Sequence, residues 1–422
     1  MKPKFLEPLQ IRDFAVYWTG MTVSLLGDGI FFVAIAWQVY ELWNLPTALA
    51  LVGAIDAGAM VLLVAFAGVV ADRFERRWVL LWSCVLRGAS VAAIGTLGLA
   101  GVLRLWHLFV ISAAYGAGQA FYGPTQGAIV PDLVPDELLV QANSLSQFVR
   151  PLAFRLVGPA LGGWIVHAVG APTAFLCDAS SFAFAAAMLL FLRPRPPALA
   201  REDRAHSVLA DIKIGWLFVR SHVWLWGTLA WATLTLFLAY APWQVLVPYL
   251  VKNELHGSAG DLGLVFAAGG LGSVITAYLI GQRGLPRRHI TAMYLTWAMG
   301  AFDLALYTVA RVPWHAMVIA VYAEACWTVG LLVWVTLLQR LVPPELRGRV
   351  KSLDWLLSTG LAPISFVLCG PAAAWLGVDT VLQICGLGSV ALTVGFYLLP
   401  GMRETEQDGS ESRVVLGSPE PT

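Results

Sequence analysis

The sequence predicts an all-α polytopic membrane protein, with twelve transmembrane helices in two six-helix parallel repeats. Three observations carry that prediction. The chain is 58% hydrophobic and only 13% charged, against about 25% charged for a soluble domain, so a soluble fold could not hide its apolar surface. The apolar residues fall in long runs separated by short polar loops. Each run can cross roughly 30 Å of hydrocarbon as a helix, whereas a closed barrel would show short alternating segments. Finally, the halves repeat: Leu133-Val-Pro135-Asp-Glu137-Leu138 returns as Leu341-Val-Pro343-Pro-Glu345-Leu346, and Ser144-Leu145 returns as Ser352-Leu353. Gly162-Gly163 falls opposite Gly370-Pro371, at the same offset of 208 residues (346 − 138). Halves in the same orientation imply a pseudo-two-fold axis along the membrane normal, with a binding site between them near the midplane.

Span 1 covers about 14–40 and carries Leu25-Leu26-Gly27-Asp28-Gly29 near its middle. The apolar run is too long for a signal sequence and lacks a small-x-small cleavage site, so it reads as an uncleaved span. Spans 2, 3 and 4 follow at about 47–71, 78–101 and 106–129, and spans 5 and 6 at about 140–169 and 173–192. The stretch 193–213 is rich in proline and arginine and reads as a surface linker. Six more spans run at about 223–251, 262–282, 290–310, 315–338, 352–376 and 380–399. The expected division is an amino-terminal bundle over 1–192, a cytoplasmic linker over 193–214, a carboxy-terminal bundle over 215–402 and a disordered cytoplasmic tail over 403–422.

Charge sets the expected orientation. Lys2, Lys4 and Arg12, then Arg73, Arg76 and Arg77, the linker, Arg283, Arg287 and Arg288, and finally Arg340, Arg347, Arg349 and Lys351 all fall on one side. The opposite loops hold little beyond Arg104, Lys252 and Arg311. Both termini are therefore expected in the cytoplasm. The net charge of +1 points to no nucleic-acid surface. Cys84, Cys177, Cys326, Cys369 and Cys385 lie in apolar runs without a Cys-x-x-Cys, so they read as small buried hydrophobes. The histidines show no ligand spacing, and neither metal nor cofactor is expected.

The stretch Gly68-Val-Val-Ala-Asp72-Arg73-Phe-Glu75-Arg76-Arg77 joins spans 2 and 3. Its arginines belong in the headgroup layer, Gly68 would admit a close neighbour, and Asp72 could face a helix N-terminus. A basic turn that only fixes topology explains the same residues. The pattern resembles the loop motif of the major facilitator superfamily through Gly68, Asp72, Arg73, Arg76 and Arg77, with Glu75 standing near where many members carry glycine. In span 5, Gly158-Pro159-Ala-Leu-Gly162-Gly163 resembles the core of the antiporter motif of drug exporters, though Phe154 stands where that motif has a glycine. Without the resemblance, the same residues read as a tight helix crossing with a proline kink. Ser24-Leu-Leu-Gly27-Asp28-Gly29, Ala142-Asn143-Ser144-Leu145, Asp178-Ala179-Ser-Ser-Phe182 and Leu346-Arg347-Gly348-Arg349-Val350 are similar to the macrolide-efflux and enterobactin-exporter branch. The resemblance covers roughly residues 10–400. It implies the major facilitator fold, alternating access and proton-coupled antiport that exports hydrophobic or amphipathic small molecules such as drugs, macrolides or siderophores. The expected setting is a bacterial-type inner membrane, with protons and lipid as partners and a monomer as the working unit.

An ionisable group inside hydrocarbon is a functional candidate by default. Asp28 ranks first as a proton-coupling group, then Glu324, Asp303 and Asp56. Asp178 and Asp354 sit nearer expected span ends and read as structural. Arg87, Arg150 and Arg155 are the cationic counterparts, with Arg87 or Arg150 the expected partner of Asp28; arginine cannot release a proton but can hold an anion. Aromatic residues, among them Tyr115, Tyr240, Trp243 and Trp327, could line an apolar cavity or simply pack. No Walker A sequence, His-Glu-x-x-His or converging nucleophile–base set occurs, so no enzyme is read here. A carrier of a small polar metabolite or lipid, or a transport-inactive sensor, remains the alternative.

Overall fold

The protein is described by a computed structural model over residues 4–193, 208–284 and 286–407. The first half contains α1 (Arg12–Leu42), α2 (Pro46–Arg73), α3 (Arg76–Leu99) and α4 (Leu105–Leu133). A fifth rod is built from α5 (Leu139–Arg150), a π-helical segment (Pro151–Val157) and α6 (Gly158–Val169), and α7 (Ala171–Leu190) completes the half. The second contains α8 (Val208–Arg220), α9 (Val223–Asn253), α10 (Ala259–Arg283), α11 (His289–Ala301), α12 (Asp303–Tyr307) and α13 (Pro313–Leu341). It ends with α14 (Pro344–Thr359), α15 (Ala362–Leu376), α16 (Val378–Tyr397) and the short α17 (Glu404–Gln407). Ten of these rods are long and apolar enough to cross a membrane. Two more complete the twelve: α4, which is diluted by Gln119, Pro124 and Gln126, and the pair α11–α12, interrupted at Phe302.

Local chemistry explains the boundaries. Proline opens α2, α13 and α14, where a missing N–H costs nothing. Gly170 and Gly377 hold equivalent places in the two halves and turn the chain at φ +89° and +85°, where a side chain would be strained. Three spans expected to be continuous are broken. Span 5 contains the π-helical segment, span 9 breaks at Phe302 and span 11 breaks at Gly360–Leu361. Proline explains the first, because Pro151 and Pro159 each remove a helix donor. The breaks in spans 5 and 11 share the 208-residue offset, so the kink belongs to the repeat itself.

The linker residues 194–207 and tail residues 408–422 lie outside the described residues. Residues 208–213, expected in the linker, start α8. The tail begins later than expected, since Glu406 accepts hydrogen bonds from Thr291 N (2.6 Å) and Oγ1 (2.8 Å) and pins α17 to the start of α11.

The two halves meet through α2 against α15 and through the fifth rod against α10. A Cβ on Gly370 would stand 2.6 Å from Cα of Thr47, and one on Gly53 would stand 2.6 Å from the Phe366 ring. A Cβ on Gly270 would stand 2.3 Å from the Arg155 carbonyl oxygen, whereas Gly281, three turns along the same face of α10, meets nothing within 4 Å. Gly68, about four turns beyond Gly53 on α2, also meets nothing. The halves therefore close at the Asn44 end and splay at the arginine-rich end. Gly68, expected to admit a close neighbour, faces open space for that reason.

Candidate functional site: two charge centres beside the cleft

Asp28 lies in α1 where Gly27 and Gly29 remove side-chain bulk. A Cβ on Gly27 would strike Ser181 Oγ and Asp178 Oδ1 of α7, and one on Gly29 would stand 2.8 Å from Cα of Gly158. The glycines thus let α7 and α6 clamp α1 on either side of the acid. Arg87, twelfth of the 24 residues of α3, donates from Nη2 to Asp28 Oδ1 at 2.5 Å. The same nitrogen donates to Tyr115 Oη of α4 at 2.9 Å, and Tyr115 Oη donates to Asp28 Oδ1 at 3.1 Å. Arg87 is 1% exposed, and its remaining faces are covered by rings, with the guanidinium carbon 4.4 Å from the Phe182 centroid, 4.9 Å from Tyr115 and 5.1 Å from Tyr122. Cation–π attraction there replaces the hydration the group has lost. Asp28 is 14% exposed and so is the member of the pair that reaches open space.

Asp178 belongs to this centre. Expected near a span end as a structural acid, it is eighth in the twenty-residue α7 and fully buried. Its Oδ1 accepts from Ser181 Oγ at 3.2 Å, and Oδ2 has no partner among the described residues. Asp56 of α2 packs against Gly116 of α4, with Oδ1 buried and likewise without a described partner. Asp28 alone bonds the Arg87 guanidinium, while Asp178 and Asp56 lie within its electrostatic reach.

The second centre joins the halves. Arg155, on the π-helical segment, forms an ion pair with Glu324 of α13. Asp303 is buried at the break before α12, close enough to Glu324 for their charges to interact. Tyr240 of α9 lies within electrostatic reach of both Asp56 of the first centre and Arg155 of the second.

The remaining candidates fall elsewhere. Arg150 is exposed at the end of α5, and Asp28 takes Arg87 instead. Arg76 donates to Ala128 O (3.0 Å) and Asp132 (2.5 Å), and Arg77 donates to Leu192 O (2.7 Å) while pairing with Glu75. These bonds tie the start of α3 to the ends of α4 and α7. Arg73 is exposed, and the Asp72 side chain lies outside the described residues. In α6, Gly158 and Gly162 seat against α1 while Gly163 seats against Gly263 of α10, so a single glycine run serves two interfaces. Pro159 opens that helix, and its carbonyl would meet a Cβ on Gly263 at 2.5 Å. Asp354 accepts from Trp334 Nε1 at 3.4 Å. Sequence reasoning gave Tyr115 no role of its own, and no local motif distinguishes it from the other aromatic residues of the spans.

The family model described as "Transmembrane secretion effector" matches residues 4–420. The chain belongs to this family of major facilitator transporters. Among the transporter's relatives, the multidrug efflux pump Tap of Mycolicibacterium fortuitum is 28% identical, covering 94% of this chain and 97% of the relative. Macrolide efflux protein A of Streptococcus pyogenes is 22% identical over 93% and 97%. In fold, the transporter is similar to a bacterial homologue of the iron transporter ferroportin in its inward-facing state, with TM-score 0.67, 19% identity and coverage of 92% and 99%. It is also similar to a bacterial homologue of the lysosomal transporter Spinster, with TM-score 0.66, 14% identity and coverage of 96% and 99%.

Proposed function

We propose that this transporter exports hydrophobic or amphipathic small molecules by alternating access, in exchange for protons. The observation that carries the reading is the cluster of Asp28, Asp178 and Asp56 about the single guanidinium of Arg87. Charge is costly at mid-depth, and three carboxylates with one cation leave negative charge in surplus. Protons cancel that surplus most cheaply, and Asp28 is the carboxyl that reaches the cleft. Protonating it frees the guanidinium to turn to a neighbouring acid and lowers the cost of closing the cleft. Relatives whose names record multidrug and macrolide efflux support the direction and cargo class.

The arginine-rich end is read as cytoplasmic by charge bias, which makes the present arrangement inward-open in a bacterial-type inner membrane. The two bundles at 1–192 and 215–402 are then the moving bodies, the segment between them their tether, and a single chain the working unit. The test is uptake into inverted vesicles under an imposed pH gradient, across macrolides, cationic dyes and siderophores. Export predicts accumulation that collapses with the gradient. Asp28→Asn, which mimics the protonated acid, should abolish uphill movement while leaving downhill exchange. Wild-type uphill pumping by Asp28→Asn would make Asp28 a structural acid.

A further inference from the structure

We infer that the starts of α4 and α13 carry two repeat-related phospholipid sites, each holding a lipid phosphate on an arginine and a histidine beside an exposed indole. The inference concerns the bilayer and not the cargo, so it does not rest on the export reading. Trp106-His107 lies in the first turn of α4 and Trp314-His315 in the first turn of α13, at the 208-residue offset of the repeat (314 − 106). Both pairs belong to the Asn44 end, where Arg104 and Arg311 are two of the few cations.

One bond is made in both halves. His107 Nδ1 accepts from Arg104 N at 3.0 Å, and His315 Nδ1 accepts from Arg311 N at 3.1 Å. The arginine stands three residues before the histidine in the first half and four in the second, where Pro313 intervenes, yet its N–H reaches the same nitrogen. That bond fixes the tautomer. An Nδ1 that accepts leaves the proton of the neutral imidazole on Nε2, which therefore donates. Neither Nε2 has a partner among the described residues. Each indole lies against its imidazole, with centroids 3.8 and 4.1 Å apart, and Trp106 and Trp314 are 57% and 60% exposed. Arg104 and Arg311 are exposed as well. Each half thus offers a guanidinium, an imidazole N–H and an indole N–H within a few residues, with no acid among them.

Charge and shape select the ligand. Donors around one fixed positive charge suit an oxyanion, and a guanidinium matches phosphate in a bidentate pair. An indole with one wet edge belongs in the headgroup layer of a bilayer. Val110 and Val318 follow Trp106 and Trp314 by four residues on the same helix faces and are also exposed. They give an acyl chain an apolar track deeper than the phosphate. A free anion would use the donors and leave that track bare, whereas a phospholipid covers both. Because α4 also carries Tyr115 and α13 carries Glu324, lipids held here would set the depth of one side chain from each charge centre.

The test is native mass spectrometry of the purified full-length protein with added dioleoylphosphatidylglycerol or dioleoylglycerol, which share acyl chains and differ in the phosphate-bearing headgroup. Wild type should retain two phosphatidylglycerols more than Arg104→Gln with Arg311→Gln, and each single variant should lose one. A hydrogen bond to a charged group corresponds to about tenfold in affinity, so each altered site should need about ten times the lipid to fill. Arg104→Lys with Arg311→Lys, which keeps the charge, should retain more lipid than the glutamine pair. His107→Phe, which keeps a ring against Trp106 but loses the Nε2 donor, should weaken the first site alone. The diacylglycerol should not distinguish wild type from the variants. If the double variant unfolds in detergent, the single variants carry the comparison. Equal retention of phosphatidylglycerol by wild type and the arginine variants overturns the inference, as does a parallel loss of diacylglycerol. Displacement of the lipid by millimolar inorganic phosphate, the mark of a free-anion site, overturns it too.

Discussion

Arg87 holds a guanidinium at the middle of a helical bundle with one anion and one phenolic oxygen on Nη2 and aromatic faces around it, while Nε and Nη1 are buried without a hydrogen-bond partner among the described residues. Its planar, delocalised charge suits both tasks, and a lysine ammonium would satisfy the carboxylate without covering the rings. Removing one member of a buried pair strands the other, at a cost of about 3–5 kcal/mol. Arg87→Leu should therefore lower thermal stability in detergent sharply, and adding Asp28→Asn should restore part of the loss. A double variant no more stable than Arg87→Leu alone would mean that Asp28 takes another partner. Asp28 and Arg87 are both legible in the sequence as charges inside apolar runs. Their pairing is not, because α1 and α3 come together only through the packing of the bundle. Asp178 lies deeper in its helix than the sequence places it, because the expected span 6 begins two residues after α7 does.

At the scale of elements, the glycine run of α6 separates two kinds of contact. A Cβ on Gly158 would meet Cα of Gly29 at 2.7 Å inside the first half, and one on Gly163 would meet Cα of Gly263 at 2.7 Å between halves. Overpacking costs typically about 1–3 kcal/mol, but the readouts should differ. Gly158→Leu should lower the unfolding temperature of the transporter. Gly163→Leu should leave it nearly unchanged and wedge the halves apart at the Asn44 end, seen as a longer spectroscopic distance there between labels on α2 and α15. Equal effects of the two on stability would contradict this division. The same end is held by a reciprocal amide pair between Asn44 and Asn253 (2.5 and 3.0 Å) and by Tyr40 Oη donating to Val245 O at 2.6 Å. A net hydrogen bond contributes roughly 1 kcal/mol, so Tyr40→Phe with Asn44→Ala should shift the population toward opening at that end by about tenfold or more. Spectroscopic distances between labels on α2 and α15 that match wild type would refute it.

Across the whole molecule, the two halves form a wedge, in contact at Gly53, Gly163 and Gly370 and apart at Gly68 and Gly281. Alternating access requires the reverse wedge, so the open ends of α2 and α10 must find partners there. The basic loop after α2 is placed to supply them. Arg76 and Arg77 already bind within their own half, which leaves Asp72 as the motif's acid for a helix start in the other half; Lys351–Leu353, where span 11 was expected to begin, lies in the middle of α14, so that start is at Pro344. Asp72→Asn should slow turnover several-fold while cargo affinity stays within about twofold. Lost binding with normal exchange kinetics would place Asp72 in the cargo site instead.

The sequence by itself determined the class of molecule. Hydropathy marks nearly every span, the 208-residue offset reveals the repeat, and buried charge nominates Asp28, Glu324, Asp303 and Asp56. These signals are local, because a residue in hydrocarbon must be apolar or carry a reason to be otherwise. Only the tertiary structure decided which charges meet. Arg87 rather than Arg150 answers Asp28, Asp178 joins that centre, and Arg155 crosses to Glu324 over 169 residues of sequence. Helices in a membrane associate through shape and small residues rather than through a hydrophobic pattern. The neighbours of a span are therefore fixed by how glycines and rings fit across helices, and that fit leaves no periodic trace in the chain.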